Sequence, residues 1–130
     1  MNQDSTPPSG NFPAYRPRRM RQSEGLRRLL RETRLSLDQL IMPYFVCEGR
    51  RVKEPIDSMP DQYRFAGDTL LTELEELLES GVSAILLFGV PSEKDSKASG
   101  AWSSDGIIQR AVREIKKHFP DLLVITDVCL

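Results

Sequence analysis

Asp127 and Cys129 stand two residues apart at the end of the apolar run LLVITDV, residues 122–128. A carboxylate after that many apolar residues is costly unless it faces a polar site. A cysteine two positions on could present a thiolate beside it, so Asp-x-Cys suits a metal site or the mouth of an active site. The plainer alternative is an aspartate capping a following turn and a cysteine packed as a small apolar residue. Cys47 with Glu48 and Phe88 with Gly89 end two other apolar runs in the same way. For Cys47 and Phe88 the spacing favours packing in a core or at its boundary. His118 is the single histidine, which leaves no multi-histidine metal site. It falls in the last turn of an expected helix, where an imidazolium suits the dipole, and reads as a surface residue. Trp102 is expected in a loop, SGAWSSDG, packed over one end of the fold or onto a neighbouring chain. Gly100 to Gly106 makes no phosphate loop and GxGxxG is absent, so nucleotide binding has no positive signal.

Charge is distributed unevenly. Residues 1–34 hold eight arginines against Asp4, Glu24 and Glu32, a local charge of +5, so the remainder carries −6 of the net −1. An arginine-rich arm before an acidic body implies a partner for the arm. Nucleic acid is one reading, since cations release phosphate counterions. RPRRMR lacks interleaved aromatics for base stacking, however, and the acidic remainder would repel a polyanion, which favours an acidic protein neighbour. Two cysteines make no disulfide framework. The start MNQDSTPPSG is no secretory signal, and no apolar run is long enough to cross a membrane. A reduced, cytoplasmic setting follows.

The elements that must position these residues are legible from periodicity. The leader, residues 1–15, has three prolines and no period. Ser23 reads as the N-cap of an amphipathic helix over 24–33, and Ser36 caps a further turn ending at Leu40. LIMPYFV, 40–46, reads as a strand whose Pro43 requires a strand end, a bulge or an edge. Residues 47–67 read as a long loop with a small hairpin. Asp68 is expected to cap a helix over 69–80, with five leucines on one face and four glutamates on the other, and Gly81 to take the left-handed position after it. VSAILLF, 82–88, is apolar on both faces, which predicts a parallel strand buried on both. A polar loop over 89–104, a helix capped by Asp105 and running to His118, and the strand 122–128 complete the chain. Alternating strands and helices imply a parallel α/β sheet. Either a doubly wound open sheet or a run of units from an eight-stranded βα barrel fits, and in both the carboxyl ends of the strands carry function.

Four segments in order, RPRRMRQSEGLRRLLRETRLSLDQLIMPYFVCEG, SMPDQYRF, LLFGVP and DGIIQRAVREIKKHFPDLLVITDVCL, resemble the N-terminal portion of the 5-aminolevulinate dehydratase, or porphobilinogen synthase, family. The resemblance spans residues 16–130 and implies the N-terminal part of a (βα)8 TIM barrel, residues 23–130, behind a leader and basic arm, residues 1–22. A whole barrel takes roughly 250 residues, so about three βα units are expected here. The implied reaction condenses two molecules of 5-aminolevulinate into porphobilinogen with loss of two waters, through Schiff bases on two lysines. Neither lysine matches Lys94, Lys97, Lys116 or Lys117, so the chain alone is expected to be inactive, poorly folded or aggregating, and a weak zinc binder. Asp127 matches an acidic residue that orients substrate or metal-bound water. Phe88 matches a phenylalanine lining the substrate pocket. Cys129 matches the first of three zinc-binding cysteines, replaced by aspartates in forms that use magnesium or no metal. Arg16, Arg18, Arg19 and Arg21 match an arm that embraces a neighbouring subunit, commonly within an octamer, with no nucleic-acid or membrane partner. AWSSDG departs from the family, which more often has a tyrosine and Asn-Pro or Asp-Pro before the Asp-Gly. The rival readings are a non-catalytic α/β module that binds a partner or nucleic acid through the arm, and a short protein that caps full-length synthase.

Overall fold

The structure, a computed structural model, describes residues 18–128. Arg16, Cys129 and the leader lie outside the described residues. Contacts divide the chain after Leu35 into two compact units.

In the first unit a 3-10 turn, Arg19–Arg21, precedes helix α1, Glu24–Leu30. Ser23 caps α1 as expected: its Oγ accepts the Leu26 N–H at 3.2 Å. Glu24 accepts from Arg27 at 2.6 Å and from Arg28 at 3.2 Å, spacings that put all three on one side of the helix. The helix ends three residues before the expected 33, because Arg31 is already extended. None of its residues is buried.

The second unit is a five-stranded sheet in the order β2-β3-β1-β4-β5, where β1 is Met42–Cys47, β2 Lys53–Pro55, β3 Tyr63–Phe65, β4 Ala84–Val90 and β5 Leu123–Thr126. β3, β1, β4 and β5 run parallel, and β2 turns back antiparallel on β3 as the small hairpin expected between 47 and 67. β3 reaches β1 only from Phe45 onward, so Pro43 lies where β1 has a neighbour on one side alone. Helices α2, Gly67–Glu79, and α4, Ile107–His118, both pack on one face of the sheet, and a short turn of helix, α3, Ser99–Trp102, lies between β4 and α4. Leu70 and Leu74 of α2 and Ala111 and Ile115 of α4 close over Tyr44, Val46, Phe65, Ile85 and Leu87. Gly81 takes the left-handed conformation after α2, φ +92°.

Four further expectations are corrected. β4 is covered by helices on one face only: Ile85 and Leu87 are fully buried, while Leu86 and Phe88 on the opposite face are half-buried. An apolar run records that both faces shun water, not what covers them. Asp68 and Asp105 do not cap their helices, which begin after Ala66 and Gly106. Trp102 belongs to α3 rather than to an irregular loop, and is 76% exposed.

Candidate functional site

Side chains alternate across a pleated strand, so the helix-covered residues identify those on the other face. Tyr44 and Val46 face the helices, which turns Phe45 and Cys47 away. Leu87 faces them, which turns Phe88 away. Tyr63 and Phe65 pack against the core, which turns Arg64 away. Register then aligns these outward residues. Glu54 pairs with Arg64, Arg64 with Phe45, and Phe45 with Phe88. The Asp127 N–H donates to the Leu87 carbonyl at 3.1 Å, which extends the β5 ladder by one step and sets Asp127 beside Phe88. Glu54, Arg64, Phe45, Phe88 and Asp127 thus form one row across all five strands, spaced by about 4.8 Å per strand.

The row has a definite chemistry. Arg64 Nη1 and Glu54 Oε2 pair at 3.8 Å at one end. The rings of Phe45 and Phe88 stack in the middle, with centroids 5.3 Å apart and planes 23° apart. The exposed Asp127 carboxylate closes the other end. An aromatic floor beside a carboxylate can seat the apolar part of a small molecule and hold a proton, an ammonium or a bound water at its polar end. Cys47 lies one pleat further toward the carboxyl end of β1. Burial, with the nearby Glu54 carboxylate, pushes its thiol up from the ordinary value, so it rests as a protonated, unreactive group.

Beyond the strand ends the loops are tied. The Ser92 hydroxyl donates to Glu48 Oε2 at 2.7 Å and joins the segments that leave β1 and β4. The segment before α4 is pinned to that helix: Gln109 Nε2 donates to the Ala101 carbonyl at 2.6 Å and Arg113 Nη1 to the Ser104 carbonyl at 2.7 Å. Asp105, instead of capping, sits 3.7 Å from Arg110 and 3.5 Å from Arg113. His118 closes the last turn of α4 through Nδ1 and the Glu114 carbonyl, in keeping with a surface role.

The row includes Asp127 and Phe88, which the sequence singled out, and Phe45, Arg64 and Glu54, which it did not, because they share their face only through pairing between separate segments. Arg18, Arg19 and Arg21 are exposed in the first unit. None of the described lysines belongs to the row: Lys53 pairs with Glu73 on the helix side, Lys94 and Lys97 are exposed between β4 and α3, Lys116 Nζ donates to the Pro120 and Leu122 carbonyls, and Lys117 is exposed on α4. Among the described residues no three His, Cys, Asp or Glu side chains gather to hold a metal ion, and no helix is long and apolar enough to cross a membrane.

A model of the family described as delta-aminolevulinic acid dehydratase matches residues 14–130. The delta-aminolevulinic acid dehydratase of Ruminiclostridium josui is 47% identical over 115 residues, covering 88% of this chain and 56% of the relative. That of Synechocystis sp. is 44% identical over 119 residues, covering 92% of this chain and 36% of the relative. The crystal structure of the enzyme from Toxoplasma gondii ME49, in complex with its reaction product porphobilinogen, superposes with a TM-score of 0.82 at 36% identity, over 89% of this chain and 33% of that one. The chain spans between a third and just over half of the length of these relatives. The matched segment and the mixed α/β sheet agree, and the chain belongs to the delta-aminolevulinic acid dehydratase family.

Proposed function

We propose that this chain is the N-terminal portion of a porphobilinogen synthase, which joins two molecules of 5-aminolevulinate into porphobilinogen and releases two waters. What supports the reading is the row on the uncovered sheet face, which sets Asp127 beside the Phe45–Phe88 stack at the carboxyl ends of parallel strands. The sheet is proposed as a segment of a βα barrel whose interior is this face; barrel active sites gather at that end. Phe88 lines the substrate pocket. Asp127 orients the substrate ammonium or a catalytic water and accepts a proton. The Schiff-base lysines belong to the remainder of a full-length enzyme, since an attacking amine needs a dry pocket and every described lysine is exposed.

The arm, with Arg16, Arg18, Arg19 and Arg21, is proposed to hold a neighbouring subunit of a homo-oligomer, and a cytoplasmic setting goes with the reaction. Zinc is proposed at Cys129 with further thiolates. The described residues do not form a metal site by themselves.

The test is porphobilinogen formation by the full-length gene product. Asp127→Asn, which keeps shape and removes the base, is expected to lower kcat/KM about 100-fold. Wild-type-like turnover in that variant overturns the role of Asp127. Absence of product from the full-length wild type overturns the activity.

A further inference from the structure

Phe88 faces away from both helices, so no helix packs behind its ring. Two features hold it. Beneath it, β4 presses on α4: a Cβ on Gly89 would come within 2.9 Å of Ile108 Cγ1 and 3.3 Å of Ile107 Cγ2, so the glycine lets the strand seat directly on the helix. Above the sheet, the ring lies against Phe45 at 5.3 Å and 23°. The two phenylalanines are register partners on adjacent strands, Phe45 to Phe88, within an unbroken run of pairs from Met42–Ile85 to Cys47–Val90. The Glu48–Ser92 hydrogen bond ties the same two strands just past their ends.

We propose that Phe45 is a positioning residue: it fixes the orientation of the Phe88 ring and thereby the apolar wall offered to substrate. The proposal rests on the reading that Phe88 lines the substrate pocket, and it adds a residue that touches Phe88 rather than the reacting atoms. Aromatic pairs have orientational preferences beyond area, so an aliphatic residue of similar volume fills the space without holding the ring. The substitution Phe45→Leu would therefore satisfy a merely structural role and fail a positioning one.

In the full-length protein, Phe45→Leu is expected to raise KM and lower kcat/KM about tenfold, with an unchanged unfolding midpoint, the order of loss when one oriented contact is released. Phe45→Tyr, which keeps the stack, is expected to stay within about twofold. Phe45→Leu combined with Phe88→Leu is expected to be no worse than Phe88→Leu alone, because the first residue acts through the second. NMR of the full-length protein labelled at phenylalanine reads the geometry without turnover: the NOEs of the Phe88 ring to its other neighbours are expected to change in Phe45→Leu and to hold in Phe45→Tyr. Equal kcat/KM in Phe45→Leu and wild type, or additive losses in the double variant, overturns the proposal. So does an unchanged set of Phe88 ring NOEs in Phe45→Leu, even in a protein that makes no porphobilinogen. A wild type that makes no product, with Phe88 ring NOEs that change in Phe45→Leu as expected, overturns the enzymatic reading while upholding the stack.

Discussion

Gly89 has no room for a methyl group. Its Cβ position is 2.9 Å from Ile108, a β-branched residue of α4 with little freedom to swing aside. Gly89→Ala is expected to push β4 off α4 and cost about 1–3 kcal/mol, the usual penalty of overpacking. Urea denaturation of the second unit within the whole chain measures it, and an unchanged midpoint refutes the close approach. The same strand shows what residue types alone can convey. Asp127 was legible because a carboxylate interrupts an apolar run. Its neighbour Phe88 read as core from spacing and as a pocket residue only through the resemblance, and pairing sets it beside Phe45. Phe45, Arg64 and Glu54 were invisible as site residues, for a physical reason: register joins residues 10 to 43 positions apart, and no local pattern carries that information. Cys47 read correctly as a boundary residue, and burial holds its thiol protonated.

Helices α2 and α4 were readable because their apolar stripes follow the helical period, whereas their first residues were not. Asp68 shows why. Its carboxylate accepts the Arg51 N–H at 3.0 and 2.9 Å and the Thr69 N–H at 3.0 Å, so it clamps the turn before β2 to the first turn of α2 instead of capping from outside. Arg51 needs such a clamp, since its φ of +55° is a left-handed conformation that side chains other than glycine adopt reluctantly. The Thr69 hydroxyl, donating to the Val52 carbonyl at 2.5 Å, secures the next residue. Hydrogen bonds from Arg51 first, and from Thr69, hold the Asp68 carboxyl below its ordinary value of 3.8. A carboxyl depressed in the folded state stabilises above its unfolded value, and that contribution disappears as pH falls through the lower folded value. The turn around Arg51 is therefore expected to stay protected at neutral pH and to loosen only below pH 3.8. In Asp68→Asn the Arg51 amide should exchange with solvent faster at neutral pH. NMR titration of the Asp68 carboxyl carbon with a midpoint at or above 3.8 contradicts this account.

At the scale of the molecule, the sheet is half dressed. One face carries two helices, and the other presents Phe45, Leu86, Phe88 and Ile125 half-buried, with Leu123 57% exposed. A face of that composition needs a cover, because exposed apolar surface of this extent marks an interaction site or an aggregation liability. In the proposed barrel the cover is the opposite wall of the same cylinder. In that reading the opposite wall would account for the apolar residues on both faces of β4, where hydropathy pointed to burial. Lysines in place of Leu123 and Ile125 separate the needs of the part from those of the whole. In the chain alone, Leu123→Lys with Ile125→Lys is expected to reduce binding of a hydrophobic dye and to shift sedimentation toward the monomer, since the charges sit where water already reaches. In the full-length protein the same pair would be buried unpaired inside the barrel and is expected to abolish folding or product formation. Opposite signs in the two contexts follow only if this face is exposed in the one and covered in the other. A full-length protein that tolerates both lysines would mean that the face stays open to solvent, and the row from Glu54 to Asp127 would then lie on a surface rather than in a pocket.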